Sequence, residues 1–311
     1  MAFQNIATPR MYLNVPEWLA SVGAMEINSI YRTLPVGRNL LEDEDKAITI
    51  PDGLLGSKCF IAILGHKFRT RYMNYTVIND NLGVEIEPLT DVINTNPAMG
   101  KDGFSISTFE GGGDTILIDI VDQAGNTSTN TGKIGSILTG IYYDFPHSPD
   151  MNLSLEYVYD GYKETTTKGG NTLVNSFYNK QPIWTDTRGA WELGGNPKYS
   201  KSGRRVWSLS FSFIADNKIF PDNAGLQNED GTDTSTATLL EDDTFQRALH
   251  LTGGGSLPFI FMPDATQDAN GNYNNSKPDN FAIAKFDMSS FKFNQVSNNI
   301  YSTKIKIKEV W

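Results

Sequence analysis

Apolar and polar side chains change places every second residue along much of this chain, a period that an extended strand accommodates and a helix does not. Ile116, Ile118 and Ile120 alternate with Leu117, Asp119 and Val121, and Leu153, Leu155, Tyr157 and Tyr159 alternate with Ser154, Glu156, Val158 and Asp160. From Val206 to Phe213 the residues Trp207, Leu209, Phe211 and Phe213 are interleaved with serines, and Ile305, Ile307 and Glu309 with lysines. Such segments read as half-buried antiparallel strands, one side-chain set on a core and the other toward water or a second sheet.

The stretches between them are rich in Gly, Asn, Asp, Ser and Thr, as at Asp122 to Lys133, Lys168 to Asn171, Asp222 to Thr238 and Asp264 to Asn280. Many short strands separated by turns predict a mainly β fold, an antiparallel jelly roll or β-sandwich, and not a βαβ arrangement. Two short helices are expected. One runs from Pro16 to Val22, with Pro16 at its first position and Asn14 or Val15 before it; the other runs from Thr244 to Leu249, capped by Asp242 or Asp243. The acidic run Glu42-Asp43-Glu44-Asp45 and the polar run from Asp216 to Thr238 suggest two boundaries. The scheme is an N-terminal arm with a short helix (1–45), a β-sandwich (46–215) and a C-terminal β segment (216–311).

With 311 residues the chain can bury a substantial core without a metal or disulfide staple. Cys59 is the only cysteine and sits in the apolar run Cys59-Phe60-Ile61-Ala62-Ile63-Leu64, so an inert buried thiol is expected, as suits a reducing cytoplasm. No stretch approaches the ~20 apolar residues of a membrane span, and the N-terminus lacks a secretory layout. A formal net charge of −10 disfavours nucleic acid and anionic membrane surfaces as partners.

Catalytic and metal chemistry finds little to work with, and no cofactor is expected. The three histidines lie apart: His66 where a strand runs into a turn, His147 in a proline corner, and His250 at a helix end, where its charge suits the macrodipole. The runs Gly111-Gly112-Gly113, Gly169-Gly170 and Gly253-Gly254-Gly255 lack phosphate-loop spacing and read as turns and bulges. Asp268, Asn270, Gly271 and Asn272 fall in calcium-loop order, but Thr266 and Lys277 occupy positions that need strong oxygen ligands, so the stretch reads as a polar loop. The expectation is a protein without enzymatic activity.

Surface candidates are aromatic and cationic. Trp207 alternates inward with Leu209 and Phe211, whereas Trp184 and Trp191 lie in loop sequence, where a sugar-stacking platform or a subunit contact competes with plain packing. Arg204 and Arg205 follow Lys201-Ser202-Gly203; one is expected to pair with a carboxylate at the sandwich rim, leaving the other for an intersubunit bridge. Arg10 and Trp18, in the N-terminal arm, complete the candidate interface set. The lysine-alternated strand Lys304 to Lys308 is expected to be an open edge, either protected by its lysines or a place for a neighbouring subunit to add a strand.

Several segments resemble virion proteins of tailed bacteriophages, marine and cyanobacterial phages in particular. The run Phe60 to Phe68 is similar to an early strand of galactose-binding-like jelly rolls in phage tail proteins, with Lys67 where asparagine is usual. Gly132 to Tyr143 resembles a strand pair of the same module, and Gly169-Gly170 and Gly203 to Phe211 resemble its closing portion. Ala7 to Asn14 is similar to the start of small marine-phage structural proteins, and Leu257 to Phe261 followed by Phe281 to Phe286 resembles C-terminal strands of tail and baseplate proteins. The resemblance implies a non-enzymatic tail or baseplate ring or adaptor subunit. It also implies a homo-oligomeric ring, other virion subunits as partners, and location in the virion after assembly in the host cytoplasm. A carbohydrate-binding jelly roll that recognises a host surface glycan is the alternative.

Overall fold

The computed structural model describes residues 6–26, 28–34, 39–40, 47–50, 54–55, 58–64, 71–79, 84–89, 104–109, 115–122, 133–159, 162–175, 203–221, 243–266 and 281–310. Among them the chain is mainly β. In chain order the strands are β1 (Arg10–Asn14), β2 (Asn39–Leu40), β3 (Ala47–Thr49), β4 (Cys59–Leu64), β5 (Arg71–Asn79), β6 (Val84–Leu89), β7 (Phe104–Phe109), β8 (Thr115–Asp122), β9 (Lys133–Ile134), β10 (Ser136–Asp144), β11 (Ser154–Val158), β12 (Lys163–Thr166), β13 (Thr172–Asn175), β14 (Arg204–Ala215), β15 (Phe259–Met262), β16 (Ala282–Phe286), β17 (Phe293–Ser297) and β18 (Ile300–Glu309). The α-helices are α1 (Val15–Ser21), α2 (Asp216–Ile219) and α3 (Phe245–Leu251), and Ser29–Tyr31 form a 3-10 turn.

Ten strands make one antiparallel sheet in the order β11-β14-β18-β16-β15-β1-β10-β4-β7, with β17 also paired to β18. It takes β1 from the expected N-terminal arm, β4, β7, β10, β11 and β14 from the expected sandwich, and β15 to β18 from the expected C-terminal segment. A four-stranded sheet, β3-β8-β5-β6, and two small pairs, β12-β13 and β2-β9, complete the β structure.

The large sheet buries different amounts of itself at its centre and its ends. At the centre, β1, β4 and β15 are buried at every position, so successive side chains fill cores on opposite faces. One core joins Met11, Leu13, Ile61, Ile63, Phe259 and Phe261 to Ile48 of β3 and Ile116 of β8, which seats the four-stranded sheet on this face as a sandwich. The opposite core holds Tyr12, Phe60, Leu64, Leu138, Ile260 and Phe281. The continuous apolar runs Met11-Tyr12-Leu13 and Phe259-Ile260-Phe261 thus supply side chains to both cores. Further out, β14 and β18 keep the alternation: Trp207, Leu209 and Phe211 face the core with Ile305 and Ile307, while Lys304 and Lys306 are exposed.

Close approach at the centre demands a glycine. Gly140 of β10 lies opposite Asn14 and Phe60, with φ +151°. A Cβ there would run into the carbonyl oxygen of Leu13 and come 2.9 Å from the Val15 nitrogen, where β1 turns into α1. The helix begins one residue before the expected Pro16, at Val15, with Asn14 preceding it and Pro16 in its first turn. The Asn14 side chain does not cap the helix. It donates instead to the Tyr31 carbonyl oxygen at 2.7 Å and to Thr33 Oγ1 at 3.1 Å, tying the β1–α1 corner to the 3-10 turn.

Three expectations are corrected. The cap of α3 is Thr244, whose hydroxyl accepts from the Arg247 N–H at 3.3 Å, and not Asp242 or Asp243. Phe213 does not continue the inward series of Trp207, Leu209 and Phe211. A bulge between Phe211 and Ile214 puts Phe213 at φ +60° and turns its ring outward, 76% exposed. The strand containing Lys304 to Lys308 is no edge: β18 is paired to β14 on one side and to β16 and β17 on the other. Its lysines alternate because they cover the outer face of an interior strand, with Lys306 paired to Asp287 at 2.9 Å.

Candidate interaction surface

Among the described residues the outermost strand on the β14 side of the large sheet is β11, held to β14 from Ser154 opposite Ser208 to Val158 opposite Arg204. Two polar contacts fix its approach: the Asp150 N–H donates to the Ser210 carbonyl oxygen, and the Ser212 hydroxyl donates to the Asp150 carboxylate, both at 2.8 Å. The frame beneath is rigid, because β14 puts Trp207, Leu209 and Phe211 into the main core, where Phe211 stacks on Phe145 at 4.7 Å.

On this frame Tyr157 and Tyr159 are exposed, and beyond them Tyr162 leads into the β12–β13 hairpin. Gly203, at φ +78° before β14, makes room for Tyr159; a Cβ there would meet that ring at 3.3 Å. The Tyr162 hydroxyl donates to Glu164 at 3.2 Å. The hairpin pairs Thr166 with Thr172, Thr165 with Leu173, Glu164 with Val174 and Lys163 with Asn175. Its turn is closed by the Thr167 N–H to the Asn171 carbonyl oxygen at 2.8 Å and by the Gly170 N–H to the Thr167 carbonyl oxygen at 2.9 Å. Gly170 takes the positive φ this turn needs, +83°, in keeping with the expected role of Gly169-Gly170. Met151, Tyr157, Tyr159, Tyr162, Leu173 and Val174 are six of the nine exposed large hydrophobic side chains among the described residues. Exposed apolar surface is thus concentrated between 151 and 174.

Of the residues expected to form an interface, Arg10, Trp18, Arg204 and Arg205 are described. Arg205 is 1% exposed, and its guanidinium lies 5.0 Å over the Trp207 ring. It donates to the Glu309 carboxylate through Nε at 3.0 Å and Nη2 at 2.9 Å and to the Phe281 carbonyl oxygen at 2.7 Å. This is the carboxylate partner that one arginine was expected to have, but it lies in the core and not at a rim, so Arg205 is part of the fold. Arg204 is half-buried and has contacts of its own, so it is not a free cation for a bridge.

Arg10 is buried against Asp144, with Nη2 at 3.2 Å from that carboxylate, and its guanidinium sits 4.0 Å over the Tyr142 ring. Trp18 is buried in the main core, with its ring 5.4 Å from that of His250. Trp184 and Trp191 lie outside the described residues, as do His66, the acidic run 42–45 and 267–280 of the calcium-like loop.

The ionisable groups at β4 and β10, toward the other end of the large sheet, serve packing. Burial pushes the Cys59 thiol up to about 12 against the opposing charge of Arg247, which keeps it protonated and poorly nucleophilic. Tyr143 is also held well above the usual phenol range, by burial first and then by Asp243 and Asp144. Burial pulls the Lys58 ammonium down, but its 2.7 Å hydrogen bond to Asp243 and the charges of Asp243 and Asp144 leave it raised. That lysine clamps the start of β4 to the end of β10 and to the entrance of α3. The chain matches no family model, no curated protein and no solved structure.

The exposed tyrosines were open to detection from sequence. Tyr157 and Tyr159 belong to an alternating strand, but alternation alone does not say which face is covered. Placing β11 at the end of the sheet decides it.

Proposed function

We propose that this chain is a non-enzymatic structural subunit of a phage virion, a tail or baseplate ring or adaptor component that works through protein–protein interfaces. The observation that carries this reading is the concentration of exposed apolar side chains, Met151 to Val174, on the end strand of the large sheet and on the hairpin that follows it in the chain. A rigid frame presenting tyrosines and aliphatic groups has the composition of an interface centre, where aromatic residues supply most of the contact energy. The ordered resemblances to tail and baseplate proteins support the virion as the setting. Mass spectrometry of purified particles of the encoding phage tests it: the chain is expected at a stoichiometry that is a multiple of a ring symmetry, and its absence from particles refutes the proposal.

A second reading, a carbohydrate-binding jelly roll, is favoured by the same tyrosines, because exposed aromatic faces stack on sugar rings. A glycan array separates the two. Binding that is lost in Tyr159→Ala and Trp184→Ala supports recognition of a host glycan, and no signal above background removes it.

A further inference from the structure

We draw no further inference here: the strongest candidate, the exposed apolar surface that Tyr157, Tyr159, Leu173 and Val174 form on β11 and the β12–β13 hairpin, carries nothing beyond the interface already proposed, because nothing in the structure shows what covers it.

Discussion

Glu309→Ala is the substitution whose effect follows most directly from the geometry. Glu309 accepts from the Arg205 backbone N–H at 3.0 Å, from Nε at 3.0 Å and from Nη2 at 2.9 Å, and both side chains are almost wholly shielded from water. Removing the carboxylate leaves a guanidinium in the core without its counter-ion, although it still donates to the Phe281 carbonyl oxygen and lies over the Trp207 ring. Losing one member of a buried ion pair costs about 3–5 kcal/mol, because the survivor keeps its desolvation penalty without its partner. Arg205→Met is expected to cost a similar amount by stranding Glu309. Combining Arg205→Met with Glu309→Leu removes both charges and fills the space with apolar volume, and should return the chain to within about 1 kcal/mol of the parent. Urea unfolding followed by tryptophan fluorescence compares the parent with these three variants. A single Glu309→Ala cost below about 1 kcal/mol, or no recovery in the double variant, would refute the claim that Arg205 is a core residue and return it to the interface candidates.

Three further outcomes are expected. Gly140→Ala should destabilise by about 3 kcal/mol or more, since its methyl meets backbone of β1 and α1 that has no room to yield, and a thermal melt reads this directly. Phe213→Gly should stabilise by about 1 kcal/mol while Phe213→Ala does not, because the left-handed backbone is released only by glycine; equal effects in urea unfolding would discount strain there. Cys59 should contribute an alkaline loss of stability. The folded chain keeps its thiol proton up to about 12, the unfolded chain loses it near 9.0, and so stability falls with rising pH between those values, by up to about 1.4 kcal/mol per pH unit. Cys59→Ala should flatten that part of the profile, with Tyr143 supplying a remaining slope of the same sign.

The mainly β, antiparallel architecture was legible because alternation is local: the strands around Ile116, Trp207 and Ile305 each announce themselves within a few residues. Pairing is not local, and that is where expectation and structure part. The lysine-alternated strand looked like an edge because lysines guard edges, yet the same alternation serves an interior strand with one wet face. Arg205 and Glu309 show how close the sequence comes. Stepping back by two from Trp207 reaches Arg205, and stepping forward by two from Ile307 reaches Glu309, so both continue apolar inward series. Since Trp207 lies opposite Ile307, the two charges lie opposite each other one step on. The series predicted burial, and only the register shows that the burial is shared. Phe213 fails in the reverse sense: the alternation continues in sequence, but a bulge inserts one residue and the next side chain changes face.

The gradient of burial across the large sheet bears on where its function resides. At β1, β4 and β15 every side chain is committed, so substitution there changes stability before it changes any contact with another molecule. Toward β14 and β18 one face is committed to the core, while the exposed Lys304 and Lys306 keep the other in water. At β11 and the hairpin the commitment ends, and tyrosine, leucine and valine appear where lysine and glutamate would serve solubility better. An edge managed only against aggregation carries charge; this one carries aromatic and branched aliphatic groups on a backbone frame locked by Asp150, Ser212 and the main core. Side chains that lower solubility, placed where the fold does not need them, are the observation on which the proposed interface rests.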